Sequence, residues 1–189
     1  MDNQTNTRNL VLIGMPGSGK STVGVLLAKR LGLGFIDTDL LIQENAGRTL
    51  QEIVDQDGYK ALRRIEEQVL LKLNVQHKVI STGGSAVYSA RAMEHLKANG
   101  TVVFLDIPLD LVMERIGDHS MRGISRRPDQ SLEALFEERF ALYSRYADLI
   151  VKGAGLGQDE VCEAVAERLC SGACNRTRLL KFRETFRSD

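Results

Sequence analysis

The run Gly14-Met15-Pro16-Gly17-Ser18-Gly19-Lys20-Ser21-Thr22 fits G-x-x-x-x-G-K-[ST] and directly follows the apolar stretch Leu10–Ile13. That order demands a buried strand, a tight turn and a helix in immediate succession. Glycines lack the Cβ that blocks left-handed dihedrals, so consecutive backbone N–H groups can converge on phosphate oxygens. Gly17, Ser18, Gly19, Lys20, Ser21 and Thr22 are therefore read as a nucleotide-phosphate cradle. Lys20 is expected to reach the β- and γ-phosphates and the Ser21 hydroxyl to take a Mg²⁺ position, with the positive end of the following helix facing the same anion. The expected ligand is ATP or GTP.

Composition narrows the partners. A chain of 189 residues with 43% hydrophobic content suits one domain with a single core. Its 25 acidic and 25 basic residues cancel, so no overall positive field exists to hold a polyanion, and small molecules rather than nucleic acid are expected. The opening MDNQTNTRNL lacks the apolar core of a signal peptide, and no apolar run approaches the ~20 residues that span a bilayer. A cytoplasmic monomer without membrane contact is the expectation. Cys162, Cys170 and Cys174 have no zinc-type spacing and read as free thiols. His77, His95 and His119 are scattered and receive no role.

Short runs rich in β-branched residues at Leu10–Ile13, Val79–Ser81, Val102–Leu105 and Leu149–Val151 alternate with helical patterns, and a weaker strand ends at Phe35-Ile36-Asp37. Alternation of this kind predicts an α/β fold of three layers, with a central parallel sheet of five strands covered on both faces. Helices are expected over Lys20–Leu31, Leu40–Asn45, Leu50–Asp55, Tyr59–Leu73, Ala90–Ala98, Leu109–Ile116, Leu132–Tyr146 and Glu160–Cys170. Thr49 and Glu52 form a capping-box pattern, and Gly100 stops the helix before Val102. The polar segment 117–130, with Arg122, Arg126 and Arg127, reads as a connection or as a mobile lid beside the phosphates. A single phosphate-loop domain is expected over residues 1–170. Residues 171–189, with five basic and two acidic side chains, read as a disordered or loosely docked tail.

Other motifs admit two readings from the residues alone. Asp37-Thr38-Asp39 ends a strand, where open α/β sheets gather ligands. Its carboxylates either organise Mg²⁺ and orient an acceptor hydroxyl, or form a turn in which Asp39 caps a helix starting at Leu40. Gly83-Gly84 either lets the backbone approach a ligand or simply turns the chain. Asp106 ends an apolar strand and is either a metal ligand or a turn carboxylate. Arg63 lies on a helix with an apolar stripe through Leu62, Ile65 and Val69, where Glu66 sits at i+3 as a surface ion-pair partner. Arg139 reads equally well as a surface group.

Taken together, these motifs resemble shikimate kinase, in the nucleoside monophosphate kinase-like branch of P-loop proteins. The resemblance rests on Leu12–Thr22, Asp37-Thr38-Asp39, the FRxxE-like Leu62–Glu66, Gly83-Gly84-Ser85, Arg122-Gly123 and the ERxPLY-like Glu138–Tyr143. It implies that Asp39 contacts the reacting hydroxyl with Asp37 near the metal. Arg63 and Arg139 would hold the shikimate carboxylate, and Gly83 and Gly84 its hydroxyls. Arg122 would close over the phosphates, and Arg115 would lie near adenine. Asp106 falls outside the site.

ATP and Mg²⁺ are the implied cofactors, and shikimate 3-phosphate the implied product. A related kinase acting on gluconate or a nucleotide, or a regulatory nucleotide-binding module, are the rival readings. The chain departs from the pattern at Ser85 for a third glycine, Gly123 for the lid proline and Ala141 for the proline of PLY. Lys152-Gly153-Ala154-Gly155 lacks the arginine expected near adenine.

Overall fold

The computed structural model describes residues 9–116 and 123–172. Its strands are β1 (Asn9–Ile13), β2 (Gly34–Asp37), β3 (Lys78–Ser81), β4 (Gly100–Asp106) and β5 (Leu149–Lys152). They form one parallel sheet in the order β2-β3-β1-β4-β5. Every residue of β1 is buried, as expected for a central strand covered on both faces. Its alternating side chains feed two cores. Val11 and Ile13 join Ile80, Val102 and Phe104 on one face, while Leu10 and Leu12 join Val79, Val103 and Leu105 on the other.

The helices are α1 (Lys20–Leu31), α2 (Thr38–Ala46), α3 (Leu50–Asp57), α4 (Tyr59–Lys72), α5 (Ala90–Asn99), α6 (Leu109–Ile116), α7 (Leu132–Tyr146) and α8 (Gln158–Gly172). α1 and α8 cover one face through Val23, Leu27, Val161 and Val165. α4 to α7 cover the other through Leu70, Met93, Val112 and Leu135. A third, smaller core of Ile42, Ile53, Leu62 and Val69 binds α2, α3 and α4 together. The Thr49–Glu52 capping box that starts α3 is formed. From β1 the chain visits β2 and β3 on one side, then crosses to β4 and β5. Strand order therefore reverses at β1, the point at which an open α/β sheet forms its ligand crevice.

Cys162 is a free, buried thiol. The His95 ring meets the Leu73 carbonyl at 2.7 Å. His119, Cys174 and residues 173–189 of the basic tail lie outside the described residues. Among the described residues, no helix is long and apolar enough to cross a membrane.

Candidate active site

A cavity of about 570 Å³ opens at the carboxyl end of β1, between the phosphate-loop residues Gly17 and Gly19–Thr22 and the residues Asp39, Glu66, Gly83 and Arg139. β1 ends at Ile13 and α1 begins at Lys20, with Gly19 at φ 88° as its N-cap. No side chain caps this helix, and its first turn holds no acidic residue. Its amide donors and positive end are therefore left for an anion. The buried Lys20 ammonium donates to the carbonyls of Gly14 (2.9 Å) and Met15 (2.8 Å) and to Ser18 Oγ (3.4 Å). Burial lowers its pKa to about 8, against the opposing charge of Asp39.

Ser21 Oγ donates to Asp37 Oδ2 at 2.6 Å and lies 3.3 Å from Ser81 Oγ. Among the described residues there is no group of three or more His, Cys, Asp or Glu able to hold an ion. A hydroxyl beside one carboxylate suits Mg²⁺, which takes few protein ligands and completes its shell with water and phosphate oxygens. Thr22 is exposed at the cavity rim. Exposed Arg115, in the last turn of α6, sends its Cβ to within 3.6 Å of where a Gly17 side chain would begin. At the far side Gln158, the first residue of α8, reaches the cavity. The sequence singled out Arg115 and the segment Lys152–Gly155 for the adenine side but not Gln158, which the start of α8 brings to the cavity.

The acidic motif corrects the expected capping. α2 begins at Thr38, not Leu40, and its cap is Asp37, whose Oδ1 accepts from the Asp39 amide at 3.0 Å. Thr38 is fully buried and its Oγ1 accepts from the Gly83 amide at 3.1 Å. That bond ties the helix start to the turn after β3. Asp39 is thereby released from capping and faces the cavity. Burial, reinforced by the nearby charge of Asp37, raises its pKa to about 6. A carboxylate so tuned is suited to accept a proton near neutral pH.

Glu66 is a second correction. It is buried at 2% exposure, and its Oε2 accepts from the Ser85 hydroxyl rather than from Arg63. The signal was present: Leu62, Glu66, Val69 and Leu70 recur at one face of α4, and all four are buried. Burial, then the charge of Asp39, raises the Glu66 pKa to about 7. Gly83 lies against both carboxylates. A Cβ there would fall on Glu66 Oε1 and within 2.6 Å of Asp39 Oδ1, so glycine is required by close approach. A Cβ on Gly84 would meet Arg139 Nη1 at 2.8 Å. The Gly84 carbonyl accepts from the Tyr143 hydroxyl at 2.6 Å.

Arg139 projects from α7 and is 1% exposed, far from the surface role its helix pattern allowed. Its Nη2 donates to the Ser125 carbonyl at 2.7 Å, while Nε and Nη1 have no hydrogen-bond partner among the described residues. Arg63 reaches the same carbonyl through Nη2 at 3.2 Å and Ser125 Oγ through Nε at 2.9 Å. Its guanidinium lies 3.4 Å from the centre of the Tyr88 ring. The two arginines thus meet at Ser125, but Arg63 opens onto a neighbouring cavity of about 440 Å³.

Neither Ser125 nor Tyr88 was singled out from the sequence. Both lie in segments without periodicity, and only their contacts mark them. Gly123 has φ 71°, a dihedral proline cannot adopt. A Cβ there would also collide with Leu50. Within the expected lid, Arg127 pairs with Glu138 at 3.2 Å and Arg126 donates to the Gln130 carbonyl at 3.1 Å. Arg122 and residues 117–121 lie outside the described residues.

A phosphate loop at the switch point of a parallel sheet, facing buried carboxylates and an arginine across one cavity, defines a P-loop small-molecule phosphotransferase. The family model for shikimate kinase matches residues 16–170. The chain belongs to the shikimate kinase family, and is therefore a kinase acting on an alcohol group with ATP as donor. It is 42% identical to the shikimate kinase of Mycobacterium avium (strain 104) over 168 residues, covering 87% of this chain and 95% of that one. A shikimate kinase from Acinetobacter baumannii, solved in complex with shikimate, superposes with a TM-score of 0.82 at 30% identity, over 89% of this chain and 96% of that one. The shikimate kinase of Aquifex aeolicus vf5 gives 0.75 at 37% identity, over 88% and 98%.

Proposed function

We propose that the chain transfers the γ-phosphoryl group of ATP to the 3-hydroxyl of shikimate, giving shikimate 3-phosphate and ADP, with the following division of labour. The observation that carries this reading is the buried Arg139 guanidinium, with two N–H-bearing nitrogens unpartnered beside the cavity that the phosphate loop also lines. Unpaired buried charge is costly, and a carboxylate is the group whose geometry matches a guanidinium fork. An acidic acceptor answers both facts. Arg63 completes the carboxylate clamp from the neighbouring cavity, and the backbone of Gly83 and Gly84 contacts the acceptor hydroxyls.

Asp39 accepts the proton of the attacking hydroxyl, for which a pKa of about 6 is well suited. The amides of Gly17, Ser18 and Gly19 cradle the phosphates with Ser21 and Thr22, and Lys20 moves from the loop carbonyls onto the transferring phosphate. Arg122 closes the charge clamp from the lid, and Arg115 flanks the adenine side. A Mg²⁺ ion held by Ser21 and Asp37 supplies charge neutralisation at the β- and γ-phosphates when bound. Phosphoryl transfer asks mainly for alignment and electrostatic stabilisation, which these groups provide. The chain acts as a cytoplasmic monomer on small molecules.

A coupled ADP-release assay over a panel of hydroxy acids, sugars and nucleoside monophosphates tests the reading. Release should depend on shikimate and on Mg²⁺. Equal release with gluconate or a nucleoside monophosphate would remove the acceptor assignment, and acceptor-independent binding without turnover would remove the kinase.

A further inference from the structure

A guanidinium hydrogen-bonds only within its own plane, so a contact on its flat face can hold the group without consuming a donor. Arg63 makes such a contact. Its guanidinium carbon lies 3.4 Å from the centre of the Tyr88 ring, with the Tyr59 ring at 5.1 Å. In the plane, Nε and Nη2 donate to Ser125. Arg139, from α7, donates to the same Ser125 carbonyl and lies 5.5 Å from the centre of the same Tyr88 ring. One aromatic face and one carbonyl thus gather two arginines from two helices. Burial lowers the Arg63 pKa, and the like charge of Arg139 acts in the same direction. The negative face of the ring offsets part of that cost.

The ring is itself held at both ends. Tyr88 closes the short 3₁₀ turn Ala86–Tyr88, directly after Gly83-Gly84-Ser85, and its amide donates to the Ser85 carbonyl at 3.0 Å. At the far end its hydroxyl donates to Glu138 Oε1 at 2.5 Å. Glu138 precedes Arg139 in α7, and its other oxygen accepts from Gln130 Nε2 at 2.8 Å and from Arg127 Nη1 at 3.2 Å. A half-buried tyrosine can serve merely as apolar cover, a task that leucine performs equally well. Only a ring offers a face to a cation, and here the cation occupies it. A side chain ordered before its ligand arrives loses less freedom on binding, which strengthens the contact it then makes.

We propose that Tyr88 is a positioning residue for the acceptor carboxylate: its ring face orders the Arg63 guanidinium beside that of Arg139, and so sets the preference for an anionic over a neutral acceptor. This rests on the shikimate reading, in which both arginines serve the carboxylate. Tyr88 touches the acceptor only through Arg63. Replacing the ring by an aliphatic side chain of similar bulk keeps the apolar cover but frees the guanidinium, which costs the carboxylate its ordered partner and the nucleotide nothing.

The experiment compares Tyr88→Leu and Tyr88→Phe with native protein, reading KM for shikimate and for ATP, and the Kd of shikimate and of its uncharged methyl ester by calorimetry. Tyr88→Leu should raise KM and Kd for shikimate about 5- to 30-fold, the size of one partly desolvated cation–π contact. KM for ATP and Kd for the methyl ester should each move less than about twofold. Tyr88→Phe keeps the ring and should hold shikimate KM within about threefold of native, even where loss of the hydroxyl bond to Glu138 lowers the unfolding temperature. Unchanged shikimate KM and Kd in Tyr88→Leu would overturn the proposal. So would equal weakening of ATP or of the ester, or a Tyr88→Phe variant as impaired as Tyr88→Leu. Native protein that releases no ADP with shikimate overturns the acceptor assignment itself, whereas normal native turnover with an unshifted Tyr88→Leu variant overturns only the role of Tyr88.

Discussion

The donor and acceptor walls of the cavity are built on opposite principles. On the donor side, Lys20 satisfies its ammonium on Gly14, Met15 and Ser18, all within six residues of itself. On the acceptor side, contacts join α2 to the turn after β3, α4 to that same turn, and α7 to residue 125. There the buried side-chain atoms Glu66 Oε1, Arg139 Nε and Arg139 Nη1 have no hydrogen-bond partner among the described residues. A locally closed loop can form before its ligand arrives and offer it a finished geometry. A wall carrying unpaired buried charges is completed by the ligand, so it should select by charge and hydroxyl pattern more sharply than the loop does.

The largest expected effect falls on the donor side. Lys20→Ala should lower kcat by ~10²- to 10³-fold, because a preorganised charge on the transferring group is lost. Stability should hold, since burial already disfavours the Lys20 ammonium and its pKa lies at about 8. Thermal unfolding and steady-state turnover of the variant check both halves. Near-normal turnover, or loss of the fold, would break the picture of the loop as a self-contained electrostatic unit.

Arg139→Lys comes next and probes the other wall. An ammonium cannot reproduce a two-point contact with a carboxylate, so KM for shikimate should rise roughly 10- to 100-fold. KM for ATP should change little. Equal effects on both substrates would mean that the two walls are not energetically separate, and that Arg139 serves the phosphates.

The same contrast explains how much of the molecule was readable in its sequence. Strand–helix alternation and the contiguous run Gly14–Thr22 gave the five parallel strands and the loop, because a period and a turn are local properties. The capping box at Thr49 and Glu52 was legible for the same reason. On the acceptor side, the resemblance singled out Asp39, Arg63, Gly83, Gly84 and Arg139; all but Arg63 line one cavity, and Arg63 lines its neighbour. What stayed hidden depended on distant partners. Thr38, at the start of α2, is buried and bonded by Gly83, 45 residues away. Glu66 is inside and bonded to Ser85, 19 residues away, rather than paired with Arg63. Ser125 matters only because two arginines from different helices reach its carbonyl. Arg122 rests on the motif match alone.

The smallest effect is also the most discriminating, because it reads the unpaired charge without any substrate. Glu66 has its pKa raised from 4.5 to about 7 by burial and by Asp39, so between those values the folded state binds a proton that the unfolded state has released. Its contribution to stability is therefore complete below about pH 4.5 and is lost as pH rises through about 7. Asp39, raised from 3.8 to about 6, adds a slope of the same sign. Glu66→Gln removes the first titration and lowers the like charge felt by Asp39. The variant should gain stability relative to native protein as pH rises from 5 to 8, by about 1–2 kcal/mol. Urea unfolding of both proteins at the two pH values measures the difference. Parallel pH dependence would mean that Glu66 is as well satisfied as the groups of the phosphate loop, and the contrast between the two walls would fail at the residue on which it most depends.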